Sequence, residues 1–288
     1  MNRDFSPDRV VFLHIPKTAG STLYRILETH YRWESIYTVW QDGTLDEFKA
    51  LSTEQKMAIR LLRGHFGFGI RTLLPGPSEY FTILRDPTER VISYYHFVRR
   101  SPRHYCYERV TKDNMSLETF VTSRIDTLLD NGQTRLLANR ESGHEIPFGS
   151  CTTAMLDEAK HNLREQMKVV GLTERFDETL FLLQQAFGWR KLYYSRQNVS
   201  AGRSSQKALP PSTLAAIQAT NMLDTELYQF AEILFEEQLA QFGNDLPQQL
   251  ADFRRANQRR QRLTHLLWEL RKYPVRTYLR RLIGWERP

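Results

Sequence analysis

The segment that most constrains the fold is an apolar run at residues 10–13 that leads directly into the loop sequence HIPKTAGST at residues 14–22. Short runs of apolar and β-branched residues are typical of buried strands in parallel sheets. After the loop, Leu23, Ile26 and Leu27 recur at helical spacing. A strand, a short loop and a helix in this order predict one unit of a layered α/β protein.

A second unit of the same kind follows at residues 80–98. The apolar run YFTIL leads into RDPTER, in which Asp86 is typical of a helix N-cap and Pro87 of the first helical position. Glu89 occupies the third position of a capping box. Apolar patterns elsewhere predict two further strands, at residues 59–65 and 169–172, and four further helices, at residues 154–167, 177–187, 213–219 and 225–242.

The alternation of strands and helices predicts an α/β fold with a central, mainly parallel sheet flanked by helices. We expect this domain to span residues 1–246. Residues 247–288 are expected to form a helical C-terminal extension that is basic and amphipathic. No internal repeat interrupts this order.

Charge is distributed unevenly along the chain. Residues 251–288 contain 11 Lys and Arg against 3 acidic residues, whereas the rest of the chain contains 29 basic and 30 acidic residues. A neutral body argues against nucleic acid as a partner of the folded core. The basic extension has two interpretations: an ordinary helix with a solvated basic face, or an interfacial helix that contacts a membrane peripherally or holds an anionic acceptor.

Two further features bear on the compartment. Cys106 and Cys151 lack metal-ligand spacing, and the chain does not open with a basic region followed by an apolar stretch. No apolar run is long enough to cross a bilayer. These features predict a cytoplasmic protein without a metal site, and they leave open the pairing of the cysteines and the oligomeric state.

The first loop has the chemistry of an anion site. A loop between a strand and a helix presents free amide groups and the positive end of the helix dipole. Lys17 adds a cation, Gly20 permits close approach of the backbone, and Thr18, Ser21 and Thr22 add hydroxyls. Because the lysine precedes the glycine, the Walker pattern of nucleotide-binding proteins is absent. On its own, the loop is interpreted equally well as a phosphate-type site or as a structural turn.

Arg85 follows the carboxyl end of a predicted strand, where open parallel sheets bind ligands. Arginine at this place can hold a phosphate through two hydrogen bonds, and Ser93 lies two helical turns further on. Considered without the first loop, Arg85 is better explained as a residue that forms ion pairs with acidic neighbours such as Glu89 than as a phosphate-binding residue.

Together, the motifs resemble the sulfotransferases that use 3′-phosphoadenosine 5′-phosphosulfate (PAPS), specifically the branch of heparan sulfate 2-O-sulfotransferase and its uronyl relatives. The similarity covers approximately residues 10–238, and its most specific part is the arginine-centred motif. The resemblance implies a P-loop-like, three-layer α/β domain. The similar segments are PKTA at 16–19, GHF at 64–66, ILRDPTERVISYY at 83–95, AMLDEAKHNL at 154–163 and VGLTE at 170–174.

The resemblance also implies roles for individual residues. The 3′-phosphate of PAPS would be held by Arg85, Ser93 and, from a looser match, Arg203. His65 lies where the family has its catalytic base, and a histidine suits that task. Without the resemblance, His65 is better explained as a structural turn residue, and His14 is expected to shape the loop. The 5′-phosphosulfate would be held by Lys17, which would also stabilise the leaving group, and by Thr18, Ala19, Gly20, Ser21 and Thr22.

These inferences predict an enzyme that transfers a sulfuryl group from PAPS to a hydroxyl of an acceptor, leaving adenosine 3′,5′-bisphosphate (PAP) and using no metal. The resemblance favours a carbohydrate or glycoconjugate as acceptor. Because Golgi members of the family carry an N-terminal anchor and extra cysteines, we expect a bacterial cytoplasmic enzyme. The alternatives are a nucleotide-dependent phosphotransferase, which requires Walker glycines, and a non-catalytic polyanion-binding module, which requires a basic core.

Overall fold

A computed structural model of the chain describes residues 9–40, 44–189, 192, 194 and 209–272, with residues 260–272 described only as helix backbone. Five strands form one sheet in the order β2-β3-β1-β4-β5, and each neighbouring pair is parallel. The predicted central parallel sheet is therefore confirmed. The strands are β1 (Arg9–Leu13), β2 (Ile36–Val39), β3 (Leu61–Gly64), β4 (Ser78–Leu84) and β5 (Met167–Leu172).

Helices flank the sheet, as is typical of the α/β class. The longest of them include the four that the apolar patterns predicted, displaced by only a few residues at their ends. They are α1 (Gly20–Leu27), α2 (Thr44–Ala50), α3 (Thr53–Ala58), α4 (Pro87–Val98), α5 (Tyr107–Lys112), α6 (Leu117–Thr122), α7 (Gly132–Leu137), α8 (Thr153–Glu165), α9 (Phe176–Phe187), α10 (Pro211–Thr220), α11 (Met222–Ala240) and α12 (Leu246–Lys272). Among them, α8, α9 and α11 pack against β5, and α2 packs against β2.

The main hydrophobic core lies against the sheet. All five residues of β1 are buried, because β1 is the central strand with β3 and β4 on either side. In the pairing of β1 with β4, Phe12 lies opposite Phe81 and stacks on it with a ring-centroid distance of 4.7 Å. A second, smaller cluster joins α4 to α6 and α10 through residues such as Val91, Phe120 and Ile217.

The helix α12 begins at Leu246, one residue before the predicted C-terminal extension. The first turns of this helix nevertheless belong to the main core, since Leu250 and Phe253 are buried in it. Asn257 accepts a hydrogen bond from the backbone amide of Tyr194, at 3.2 Å. None of the helices in the described part of the chain combines the length and the apolar character that crossing a bilayer requires. Both cysteines are free thiols.

The topology determines where chemistry can occur. Because β3, β1 and β4 are adjacent and parallel, their carboxyl ends meet at one edge of the sheet. His65 follows β3, His14 follows β1 and Arg85 follows β4. The three segments that the sequence analysis singled out are thus neighbours in space.

Candidate active site

The loop between β1 and α1 has an unusual backbone. Lys17 and Ala19 both adopt positive φ angles, 76° and 64°, although neither is glycine. Such a conformation costs about 1–2 kcal/mol for an L-residue, and residues of this kind concentrate at ligand sites. Ala19 is also the N-cap of α1 and supplies no side-chain hydrogen bond to it. The first amides of α1 are therefore not covered by a capping side chain, as a backbone anion site requires.

The side chains of the loop divide into structural and exposed groups. Thr18 is fully buried, and its hydroxyl donates to the carbonyl of Ile15 at 2.8 Å. This hydroxyl therefore closes the loop, and the predicted contribution of Thr18 to ligand binding is left to its backbone amide. Ser21 is exposed and Thr22 is half-buried in the first turn of α1. Both of these hydroxyls can face a ligand.

Gly20 is required by the packing of His14. A Cβ atom at Gly20 would lie 1.8 Å from Nε2 of His14. The His14 ring is buried, stacks on Phe12 and contacts the hydroxyl of Tyr24 through Nδ1 at 3.0 Å. Burial lowers the pKa of His14 well below its ordinary value, so this ring is neutral. The arrangement agrees with the expectation that His14 shapes the loop.

Arg85 connects the two anion motifs. Its side chain is only 13% exposed, and Nη1 donates to the carbonyl of Lys17 at 3.1 Å. The guanidinium group also lies 3.5 Å from Glu89 and 3.8 Å from Glu174. The ion pair with Glu89 that explains Arg85 in isolation is thus present, but the same side chain reaches the loop 68 residues away.

The start of α4 differs from the predicted capping box in one respect. Asp86 is the N-cap, Pro87 is the first residue, and Asp86 Oδ1 accepts from the amide of Glu89 at 2.8 Å, as predicted. The amide of Asp86 donates to Glu174 Oε1 at 3.2 Å rather than to Glu89. Glu89 faces Arg85 instead. A carboxylate from a distant segment has therefore replaced the second half of the capping box.

Ser93 lies on the face of α4 that the loop lysine covers. It is half-buried, and Phe97 follows it by four residues, so both side chains share one helix face. The ammonium group of Lys17 lies over the Phe97 ring, 4.1 Å from its centroid. Among the described residues, Ser93 is joined to the site through this face and not through a bond to Arg85. Arg203 lies outside the described residues.

His65 has a defined tautomer. Its Nδ1 lies 2.9 Å from the carbonyl oxygen of His14, which can only accept, so Nδ1 carries the proton. Nε2 consequently presents a lone pair. Burial lowers the pKa of His65 to about 4, so the ring is neutral at pH 7. A neutral, oriented imidazole can accept a proton from a substrate hydroxyl.

Gly64 gives His65 its place. Its φ angle is +146°, and a Cβ atom at this position would lie 2.0 Å from the carbonyl oxygen of Val39. That same carbonyl accepts a hydrogen bond from the His65 amide at 3.0 Å. The histidine is thus attached to both neighbouring strands, to β2 through its amide and to the end of β1 through its ring.

A cavity of about 50 Å³ lies beside His65. Its volume accommodates a hydroxyl-bearing group and little more, since one water needs about 10–15 Å³ by this measure. Several walls of the cavity carry no signal in the sequence, above all Trp40, which is 46% exposed, and the segment around His144. The cavity is lined by Pro16, Trp40, Leu45, His65, Leu128, Leu136, Ser142, Gly143 and His144.

A family profile described as galactose-3-O-sulfotransferase matches residues 2–269, which is most of the chain. The chain belongs to the galactose-3-O-sulfotransferase family. The prediction of a sulfotransferase is thereby confirmed at the level of the family. The narrower resemblance to the 2-O-sulfotransferase branch is not confirmed, because the relatives described below are named for other positions.

Three relatives illustrate the similarity of this family member. Heparan-sulfate 6-O-sulfotransferase 1 of Homo sapiens is 26% identical over 80% of this chain and 66% of its own length. Heparan-sulfate 6-O-sulfotransferase 2 of Danio rerio is 27% identical over 88% of this chain and 63% of its own length. Galactose-3-O-sulfotransferase 3 of Bos taurus is 26% identical over 81% and 58%. The chain thus spans roughly two thirds or less of these relatives.

Among solved structures, mouse sulfotransferase SULT7A1 complexed with PAP aligns over 88% of this chain and 90% of its own length. The sequence identity is 13% and the TM-score is 0.35.

The expectation of a bacterial, cytoplasmic enzyme is wrong. The relatives come from animals and are named as heparan-sulfate and galactose sulfotransferases, a class of Golgi-resident enzymes. Signals expected near the start of a chain are weaker indicators of source and compartment than the similarity of a whole domain.

Proposed function

We propose that this protein transfers a sulfuryl group from PAPS to a hydroxyl group of a carbohydrate, with the loop of residues 17–22 and Arg85 holding the donor and His65 acting as base. The observation that carries the proposal is that two functional side chains end on carbonyls of the same loop. Arg85 Nη1 bonds Lys17 O, and His65 Nδ1 bonds His14 O. One loop therefore sets the distance between the donor side and the base.

The donor side supplies fixed positive potential. The uncapped start of α1 and the ammonium group of Lys17 suit the 5′-phosphosulfate. Arg85 suits the 3′-phosphate because guanidinium binds phosphate through paired hydrogen bonds. Ser93 and Arg203 are proposed to complete that phosphate site. Lysine-first order and the absent leading glycine distinguish this loop from a Walker nucleotide site.

The proposed reaction is a single displacement at sulfur. The acceptor oxygen forms a bond to sulfur while the bond from sulfur to the bridging oxygen of the 5′-phosphate breaks. His65 Nε2 takes the hydroxyl proton, and the electron pair of the broken bond remains on the phosphate of PAP. Lys17 stabilises that developing charge, a kind of stabilisation that often contributes most to the rate.

A carbohydrate acceptor is supported by the cavity as well as by the family. Trp40 is partly exposed beside the cavity, and its ring lies 6.3 Å from that of His65. An exposed aromatic face can pack against the apolar face of a sugar ring while one hydroxyl enters the cavity. Which hydroxyl is sulfated is decided by analysis of the product.

The test is a transfer assay with ³⁵S-labelled PAPS and a panel of galactosides and desulfated glycosaminoglycans. We expect label on a carbohydrate with the wild-type protein and about 100-fold less with Lys17→Met. In parallel, γ-³²P-labelled ATP with Mg²⁺ should transfer no label. Phosphoryl transfer from ATP, or undiminished sulfuryl transfer by Lys17→Met, would contradict the proposal.

A further inference from the structure

A buried glutamine holds the backbone of Arg85. Gln133, the second residue of α7, is fully buried. Its Oε1 accepts from the Arg85 amide at 3.0 Å, and its Nε2 donates to the Arg85 carbonyl at 2.9 Å. One side-chain amide thus satisfies both backbone groups of a single residue from 48 positions away.

These bonds matter because Arg85 lies where the sheet ends. The last residue of β4, Leu84, still gives its carbonyl to the amide and hydroxyl of Thr173 beyond β5. The next peptide groups leave the sheet, and buried backbone groups without partners cost about as much as lost hydrogen bonds. The amide of Gln133 has the same donor and acceptor as a peptide group. It therefore extends the pairing of β4 by one residue.

The position of Gln133 is itself fixed by contacts with α11. Asp224 of α11 is fully buried. Its carboxylate accepts from the backbone amide of Gln133 at 3.0 Å, and from the backbone amide and the hydroxyl of Thr134 at 2.7 and 2.9 Å. The guanidinium group of Arg90, also buried, lies 3.7 Å from the same carboxylate. A buried carboxylate with this many partners is held in one position. The side-chain amide of Gln133 is therefore held in a fixed position beside the Arg85 backbone.

We propose that Gln133 is a positioning residue for donor binding, which acts by holding the Arg85 backbone so that its guanidinium group reaches both the Lys17 carbonyl and the 3′-phosphate of the donor. This inference rests on the proposed function. A displacement of about 1 Å in a group that binds substrate is enough to lower affinity or rate strongly.

The chain contains a matched control. Gln238 of α11 makes the same pair of bonds to one residue of β5, accepting from the Val170 amide at 3.2 Å and donating to the Val170 carbonyl at 3.3 Å. Val170 lies inside the edge strand β5, where it pairs with a residue of β4. Gln238→Met and Gln133→Met both remove a paired side-chain contact to the backbone of one residue, and Gln238→Met also removes a bond to the Leu234 carbonyl. Only Gln133→Met removes such a contact beside Arg85.

The experiment measures the dissociation constant of PAP by titration calorimetry, alongside the urea midpoint of each variant. We expect Gln133→Met to weaken PAP binding about tenfold and Gln238→Met less than twofold, because one lost constraint on a charged contact is worth about one factor of ten. Equal effects of the two substitutions would overturn the inference. If Gln133→Met does not fold, Gln133→Glu, which retains the acceptor for the Arg85 amide, takes its place.

A double-substitution cycle separates positioning from general stability. In an Arg85→Ala background, Gln133→Met should weaken PAP binding no further, because its effect passes through Arg85. An additional tenfold loss in that background would contradict the inference. Failure of the wild-type protein to bind PAP would instead contradict the proposed function, so the two failures are distinguishable.

Discussion

The donor side of the candidate site is made mainly of backbone, whereas the acceptor side is made of side chains from separate segments. On the donor side, a loop with two left-handed residues leads into an uncapped helix, and Arg85 is tied to that loop. On the acceptor side, Trp40 and His65 follow different strands, and Ser142 and His144 belong to a distant loop. The donor side can thus stay constant while the acceptor side varies.

This difference agrees with the relatives that match the chain. Their names share the sulfuryl transfer and differ in the acceptor sugar and the position sulfated. The shape of a donor loop built from backbone changes little when neighbouring side chains are substituted, although binding still depends on the charges of Lys17 and Arg85. An acceptor site built from exposed side chains changes with each of them, as is usual for loops on a rigid scaffold.

The largest expected effect is a loss of sulfuryl transfer in His65→Ala, with donor binding unchanged. His65→Ala removes the base without touching the loop amides, so transfer should fall about 10²–10⁴-fold. PAP affinity should remain within about twofold of the wild-type value, since none of its proposed contacts is lost. Initial rates and calorimetry provide the two measurements. His161→Ala, an exposed position on α8, is the control. An equal loss of PAP affinity in His65→Ala would mean that the two sides are not independent.

The second largest effect is a loss of stability caused by a substitution in the donor loop. Gly20→Ala places a methyl group against the buried ring of His14, and overpacking of this kind costs about 3 kcal/mol of unfolding free energy. Urea unfolding measures the loss. Where space exists, alanine in a helix is favoured over glycine by about 0.5–1 kcal/mol. The same substitution in a His14→Ala background should therefore become neutral or stabilising, and an unchanged cost there would contradict the packing argument.

A third effect concerns pH and both histidines of the site. The folded protein holds His14 and His65 neutral, with the pKa of His65 at about 4, against about 6.5 in the unfolded chain. Because the unfolded state takes up protons first, the contribution of these two histidines to the free energy of unfolding should be constant above about pH 6.5. It should then fall towards pH 4 by about 1.4 kcal/mol per pH unit for each histidine. Urea unfolding of His65→Asn should show a shallower slope, and an unchanged slope would contradict the assignment.

The smallest effect is confined to the acceptor side. Trp40→Ala should raise the KM for the carbohydrate about tenfold, because a partly exposed aromatic contact is worth roughly 1 kcal/mol or somewhat more. The dissociation constant of PAP should not change. Trp33→Ala is a matched control, since Trp33 is 73% exposed and does not line the cavity. A rise in KM of the same size for Trp33→Ala would remove the proposed role of Trp40.

Predictability from the sequence follows the same division. The donor loop, the Arg85 motif and the four apolar strands are each contiguous in the chain, and local patterns of burial and capping are sufficient to predict them. β2 was not predicted, although its residues IYTV are of the β-branched and aromatic types that favour strands, because it has only four residues and three of them are half-buried. The helices α5, α6 and α7, with only six residues each, were also missed.

The residues that complete the site depend on tertiary contacts that no local pattern contains. Glu174 replaces the second half of a capping box from 88 residues away. Gln133 lies in a short helix whose position depends on Asp224, about 90 residues further along. The segment GQTRLL contains no local sign of such a role, because three polar residues follow one another there and buried polar residues have many structural roles.

The most direct test of the central claim compares two nucleotides that differ only in the 3′-phosphate, PAP and adenosine 5′-monophosphate, binding to wild-type protein and to Arg85→Ala. If the loop and Arg85 form one donor site, the wild-type protein should bind PAP about 30–100-fold more tightly than the monophosphate, as a charge-assisted pair is worth about 2–3 kcal/mol. Arg85→Ala should lose that preference while its affinity for the monophosphate stays nearly constant. Equal affinity of the wild-type protein for both nucleotides, or a preference that survives in Arg85→Ala, would contradict this account.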